Sequence, residues 1–400
     1  MSLPGSCSFR YHRRYLHHRS GSRTIIFRNS FFPLLIPVKI HTSYQNCQRQ
    51  THCGRIRKNG SFLLWSALLF SAFAGLLRWP AEAAQAVRDS LSLCTGTILP
   101  SLFPFFILST LTVESGLAAR LGRPLERCMN VLFRVNGSCA AALVLGLIGG
   151  YPVGAKAAAD LYRNGRCNES EALRLLGFCN NAGPSFLIGV VGAGIFQSAK
   201  LGLLLEGIHI FSALLIGLLY HFLPDTRSTH EKAIEPPSSI YPVSAAALLP
   251  RAVQQSVAAL MNVCGFIILF GVLLKLLNCC GLLRIAARGL SALLLPFGVS
   301  EQWCTLLLGG MLELSSGVAA LPSGISSVPM ASFLLGWGGL SVHCQTMSVL
   351  EGSGLSIRPC LIGKFLHGAS SAALTALALK LWPQSIAASD LLSSPLELHT

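Results

Sequence analysis

Acid is the first thing this chain lacks. Of its 400 residues only 16 are Asp or Glu, against 31 Lys or Arg, and the charged fraction of 12% is half of what a soluble protein carries, about 25%. The apolar fraction is 52% and the mean hydropathy +0.57. Missing too are the signatures of the common enzyme classes: there is no P-loop, H-E-x-x-H or G-x-S-x-G, and the 14 cysteines form no C-x-x-C. Those absences argue against nucleotide-driven, zinc-dependent or triad chemistry. They leave an integral membrane protein that is not an enzyme and has no cofactor or metal.

The net charge of +15 invites a nucleic-acid reading, but its placement does not support one. Residues 1–58 hold eleven basic side chains, from Arg10 to Lys58, and no acid; the other 342 carry 20 basic and 16 acidic groups. With no sustained apolar period, that segment has nothing from which to build a core, so it reads as a disordered basic extension or an over-long gene start. A transit-type leader, or an arm touching anionic lipid, would share its composition. Beyond it, Arg55 to Gly60 followed by Phe62 to Leu77 reads as a retained first transmembrane helix. Ala81-Glu82-Ala83 resembles a signal-peptidase site, but Arg78 intervenes.

What is abundant is uncharged sequence. Stretches without Asp, Glu, Lys or Arg run over Ser90 to Val113, Val135 to Ala155, Leu175 to Ala199, Gly207 to Pro224, Ala252 to Leu274, Leu314 to Leu350 and Phe365 to Leu379. Several match the roughly 20 residues that cross a bilayer as helix, and their Leu- and Ala-rich texture excludes the alternation of a barrel. Eight to ten spans are expected. Basic residues before the first span and after the second place the N-terminus in the cytoplasm. The polar, proline-containing stretch 225–247 reads as a linker.

Two stretches are too polar and too broken to be ordinary spans. One runs from Gly146 to Phe196; the other, Leu314 to Leu350, has eight Ser, five Gly and two Pro in 37 uncharged residues. Unwound backbone at membrane depth survives only where protein or a cavity covers it, and such interruptions mark transporter binding sites. The two stretches also correspond. Leu145-Gly146 through Gly154 aligns with Leu308-Gly309 through Gly317 at an offset of 163, and Leu176-Gly177-Phe178 with Leu335-Gly336-Trp337 at 159. The fold expected is therefore an all-α polytopic membrane protein of two inverted repeats, each with interrupted or re-entrant helices. Its divisions are the extension 1–58, a first helix and connector 59–92, a first repeat 93–224, the linker 225–247, a second repeat 248–382 and a tail 383–400.

Site candidates follow from the breaks. Gly183 and Ser185 flank Pro184 at an expected helix start, where free N–H groups and a partial positive charge favour anions. Asn180 and Asn181 add amide donors and acceptors. The second half offers Ser315, Ser316 and Gln345, with His343, Thr346 and Ser348 nearby. Lys156 and Glu313 are ionisable groups at polar breaks and so are functional candidates. Lys156 is expected to meet an anion or to snorkel to the interface; Glu313 is expected to bind a coupling ion or to pair with a base. His209, His221 and His367 lie near the ends of uncharged runs and read as interfacial.

Pro100-Ser-Leu-Phe-Pro-Phe-Phe106, Gly149-Gly-Tyr-Pro-Val-Gly-Ala-Lys156, Glu171 through Phe186 and Glu313-Leu-Ser-Ser-Gly317 together resemble the sporulation integral membrane protein YlbJ family. That family, also called stage V sporulation protein SpoVV, carries two nucleoside recognition (Gate) domains. The likeness covers about 59 to 382. It implies a transporter of the outer forespore membrane in a spore-forming bacterium, moving a small organic anion, dipicolinic acid, from mother cell toward forespore. A nucleoside or nucleobase transporter and a non-transporting scaffold for spore envelope assembly are the alternatives. The expected partners are that anion and the lipid bilayer, with a homodimer left open and no nucleic acid.

Overall fold

The computed structural model describes residues 63, 65–115, 117, 120, 123–222 and 245–381. The basic extension, most of the linker and the C-terminal tail lie outside them. The chain divides into two compact units, Met1–Phe73 and Ala74–Thr400. In the first unit the described residues are helical and begin the apolar helix α1 (Trp65–Arg78). No strand occurs among the described residues of either unit.

The second unit takes in the end of α1 and continues with α2 (Pro80–Leu93), started by a proline at its first position, where the missing N–H costs nothing. A π-type turn over Cys94–Ile98 carries α2 without a stop into α3 (Leu99–Glu114). After α4 (Glu126–Phe133) the chain bends by 114° into α5 (Ala140–Gly149). Then come α6 (Val153–Arg163), α7 (Glu169–Phe178), the π-wound α8 (Ser185–Ile195) and α9 (Ala199–His221). The second half has α10 (Ala245–Cys279), α11 (Leu282–Leu294), α12 (Glu301–Leu312), α13 (Leu314–Ala319), α14 (Val328–Trp337), α15 (Gly339–Leu350) and α16 (Arg358–Leu381).

Among the described residues five helices are long and apolar enough to cross a bilayer, or six if the bent pair counts as one, fewer than the eight to ten expected. The difference is physical: the interrupted stretches are cut into pieces of 6 to 12 residues, and about 20 are needed to span. Large apolar side chains on the outer faces of α9, α10 and α16, among them Leu203, Phe211, Met261, Leu269, Phe365 and Leu377, are exposed in the isolated chain, as a lipid-facing surface requires.

The breaks fall where the repeat predicts. The first half unwinds at Gly150, between α5 and α6, and again at Cys179 to Gly183, between α7 and α8. The second unwinds at Glu313, between α12 and α13, and at Gly338, between α14 and α15. Gly150 and Glu313 are 163 positions apart and Cys179 and Gly338 are 159 apart, the two offsets of the Leu-Gly matches. Gly150 and Gly338 hold φ of +73° and +90°, which glycine adopts without the Cβ penalty. One detail of the alignment shifts: Gly154 packs on Gly146, but Gly317 packs on Gly310, while Gly309 meets nothing.

Helix α16 ties the halves together by packing on α7, α9 and α14. Gly363 lies against the backbone of Gly177, and Gly368 against Gly336, so close that a Cβ on Gly363, Gly336 or Gly368 would strike main chain. Small residues at such crossings let helix backbones approach in a membrane. The residues of α16 between its two glycines are consequently held between the broken helices α7 and α14.

Candidate functional site

The starts of three half-helices and the body of a fourth meet around one cavity of about 60 Å³. It touches Gly149, Gly150 and Tyr151 where α6 begins, Ala182, Gly183 and Ser185 where α8 begins, Glu313, Leu314 and Ser315 where α13 begins, and Val342 and Gln345 in the first turns of α15. Apolar side chains of α3 and α10, including Phe106 and Ile267, close the remaining wall. At 10–15 Å³ per water on this measure, the space holds roughly four waters.

Local sequence explains each start. Pro152 and Pro184 sit just ahead of α6 and α8, where neither has to supply an N–H. Glu313 is extended, with φ −136° and ψ 116°, and caps α13: its Oε1 accepts from Ser315 N at 3.0 Å and its Oε2 from Ser316 N at 2.6 Å. The hydroxyl of Ser341 adds a long contact of 3.5 Å to Oε1. Upstream, Asn168 and Glu171 form a reciprocal capping box that starts α7, with N···O distances of 2.9 and 2.8 Å.

Of the residues singled out from sequence, Gly183, Ser185, Glu313, Ser315 and Gln345 line this cavity. Asn180 and Asn181 stand behind it, both fully buried. Asn180 Nδ2 donates to Thr346 Oγ1 at 3.0 Å, joining the break of one half to α15 of the other, while Asn181 Nδ2 donates to Phe178 O at 2.9 Å. Neither Oδ1 has a partner among the described residues. Ser316 contributes its N–H to the cap rather than its side chain to the wall.

Lys156 is elsewhere. Its side chain is 66% exposed and bonds Asp160 at 3.1 Å, one turn along α6, where Arg163 also meets Asp160. That face of α6 looks outward, so of the two expectations for Lys156 the interfacial one matches its position. Glu313, expected to hold an ion or pair with a base, makes its short contacts to backbone N–H groups.

The expectation of interfacial histidines fails for two of the three. His221 is partly exposed and its Nδ1 lies 3.0 Å from Leu132 O. His209 and His367 are buried, with ring centroids 4.2 Å apart. His367 Nε2 lies 2.9 Å from His209 O, and His209 Nε2 accepts from Ala182 N–H at 3.2 Å. Lys364, which the sequence reading passed over, is fully buried one turn before His367, its Nζ 2.9 Å from His367 Nδ1 and 5.1 Å from the centroid of the Tyr151 ring. Glu206 on α9 is also buried, with no partner for Oε2 among the described residues.

Cross-half bonds hold this assembly. The Tyr151 hydroxyl donates to Leu335 O at 2.9 Å, and within the second half Trp337 Nε1 donates to Met311 O at 3.0 Å. A double-mutant cycle with Asn180→Ala and Thr346→Val in the purified protein should give a coupling of about 1 kcal/mol in thermal unfolding, the net worth of a neutral hydrogen bond. Additive losses would mean that the bond contributes nothing to holding the halves together.

The chain is similar to known proteins in sequence and in fold. The Gate family profile, described as nucleoside recognition, matches residues 96–223. The sporulation integral membrane protein YlbJ of Bacillus subtilis (strain 168) is 32% identical over 344 residues, covering 81% of this chain and 84% of that protein. Among solved structures, a doubly substituted CNTnw in an outward-facing state is 14% identical at a TM-score of 0.49, covering 84% of this chain and 87% of that one. CNTnw in an inward-facing substrate-bound state is 16% identical at 0.48, covering 82% and 87%.

Proposed function

The chain belongs to the YlbJ family of sporulation integral membrane proteins, and on that premise we propose that it is a transporter moving a small organic anion, dipicolinic acid, from the mother cell toward the forespore across the outer forespore membrane. One observation carries the anion reading. Of the three half-helices that begin at the cavity, α6 and α8 are long enough to carry a macrodipole, and each presents roughly half a positive charge at its N-terminus. Among the described residues the one formal charge on the wall is Glu313, and its oxygens are engaged by the start of α13. Backbone dipoles attract a dianion without the fixed cations that would trap it. Gly183, Ser185, Ser315 and Gln345 supply the contacts, and Asn180 and Asn181 stiffen the break behind them.

The cavity is small, about 60 Å³. Small-molecule sites run to about 300–1,000 Å³, so a substrate of that class enters only when the tips of the two halves part. The lipid-facing helices and the repeats 93–224 and 248–382 would supply the frame against which they move.

A nucleoside or nucleobase is the second reading. It draws on the description of the Gate profile and on the amide of Gln345, which can donate to and accept from a base edge. Uptake by proteoliposomes separates the readings: saturable entry of labelled dipicolinate, undiminished by excess nucleoside, is expected. Nucleoside entry without dipicolinate entry would favour the second reading. No entry of either, with normal spore envelopes in strains carrying Gln345→Ala, would favour a scaffold.

A further inference from the structure

We propose that Lys364 and His367 form a proton-binding site inside the membrane body, that it holds a single exchangeable proton, and that anion passage through the neighbouring cavity is coupled to its occupancy. The coupling half rests on the transport reading above; the one-proton site does not.

Hydrogen-bond polarity sets the stoichiometry. His209 O is a carbonyl and can only accept, so His367 Nε2, 2.9 Å away, carries a hydrogen. In the neutral ring the lone pair is then at Nδ1, facing Lys364 Nζ at 2.9 Å. An excess proton on this pair gives either an ammonium donating to a neutral imidazole or an amine accepting from an imidazolium. Both forms share the same proton along the same line. A second excess proton would set N–H against N–H at 2.9 Å in a site closed to water, where two positive charges repel undiluted.

Among the described residues the pair bonds no counter-charge; the acid on the packed helix α9 is Glu206, one turn before His209. The titratable groups facing the pair are Tyr151 from the α5–α6 break, Cys179 from the α7 break, His209 from α9, His343 from α15 and Cys360 on α16. Helix α14, packed along the same helix, contributes none. No carboxylate lies within salt-bridge distance of Lys364 among the described residues. A buried cation without a partner is costly, so the proton binds better when negative charge arrives nearby. Tyr151 lines the cavity and its ring also faces Lys364 Nζ, so an anion in the cavity sits across that ring from the pair. Reciprocity then requires the bound proton to favour the anion by the same factor.

His209 conveys the state of the pair to the wall. Its Nε2 accepts from Ala182 N–H, and Ala182 lines the cavity. A proton at that nitrogen would oppose the N–H and release the unwound segment that leads into α8. With the two imidazoles 4.2 Å apart, charge on His367 opposes charge on His209. A proton on the pair thus keeps the Ala182 contact intact.

The full chain in nanodiscs, labelled with ¹⁵N at lysine and histidine, tests the site directly. As pH is varied, the Lys364 and His367 signals should move together in one step worth one proton. They are assigned by their loss in Lys364→Met and His367→Asn, or in Lys364→Arg if Lys364→Met does not fold. Two separate steps, or no step, would overturn the site. Coupling is read in proteoliposomes carrying a pH dye: wild-type dipicolinate entry should bring protons with it, and the protons moved per anion should fall toward zero in Lys364→Met and Lys364→Arg. Dipicolinate entry without proton movement in the wild type would overturn the coupling and leave the transport reading standing. Absence of entry would sink the transport reading, with the one-proton site still decided by the titration.

Discussion

Glu313→Ala is expected to lower the initial rate of dipicolinate entry about a hundredfold, and the graded replacements Glu313→Asp and Glu313→Gln say why. Alanine leaves the N–H groups of Ser315 and Ser316 without their acceptors in a part-buried position. Each unsatisfied donor costs about 1–3 kcal/mol, so two such losses, about 2–6 kcal/mol, bracket the roughly 2.7 kcal/mol that separates rates a hundredfold. Aspartate is among the best N-caps and restores an acceptor on a shorter arm. Glutamine keeps one carbonyl oxygen but turns an NH₂ toward the second N–H. If Glu313 acts by capping α13 and shaping the cavity, entry rates and thermal midpoints should both fall in the order Glu, Asp, Gln, Ala. If its negative charge binds a coupling cation, Gln should match Ala in transport while keeping most of its stability. Rates measured under imposed sodium and proton gradients, beside unfolding followed in detergent, separate these outcomes.

Glu313 was legible in the sequence because an acid in a long uncharged surrounding stands out, and because its neighbours repeat the pattern of the first half. The breaks were legible for a related reason: a turn at membrane depth needs residues such as Gly149-Gly150 and Gly338-Gly339, and the matched breaks, Gly150 with Glu313 and Cys179 with Gly338, keep the offsets of 163 and 159 found for the Leu-Gly pairs around them. Lys364, His367, His209 and Glu206 were not. An uncharged run ends at the nearest charged residue, so Glu206 and Lys364 stand at the ends of Gly207 to Pro224 and Phe365 to Leu379. In the folded chain those residues are interior positions of α9 and α16. A helix buried between helices, unlike one facing lipid, can carry an ionisable group at its centre, and composition alone does not distinguish the two. The glycines around Lys364 and His367 were the available signal, since Gly363 and Gly368 mark a face pressed against other backbones. Lys156 misled in the opposite direction. Asp160 and Arg163, four and seven residues on, share its helical face, and a face with three charges looks outward.

Gly150→Val is expected to abolish dipicolinate entry and to lower the thermal midpoint, through a mechanism that involves no substrate contact. Gly150 has φ +73° and ψ −168°, a region essentially reserved for glycine, in which a Cβ is strained by about 1–3 kcal/mol. A Cβ there would also lie 3.0 Å from Gly183 N and 3.2 Å from Gly183 Cα, which are backbone atoms that cannot rotate away. Overpacking of this kind adds about 1–3 kcal/mol, a large share of a total stability of about 5–15 kcal/mol. The reciprocal change, Gly183→Val, meets Gly150 Cα and N at 3.2 Å from the other side without the positive φ, so it should cost less stability. Both wedge apart the starts of α6 and α8 at the cavity wall, and so both should stop transport. Gly207→Ala on α9, where a Cβ meets nothing within 4 Å, serves as the control and should leave both readouts at wild-type levels. If Gly183→Val transports normally while Gly150→Val does not, the loss belongs to backbone strain alone, and the contact between the two breaks is not part of the transport path. If both fail while Gly183→Val keeps its thermal midpoint, the close approach of Gly150 and Gly183 is itself what the cavity needs to form and to part.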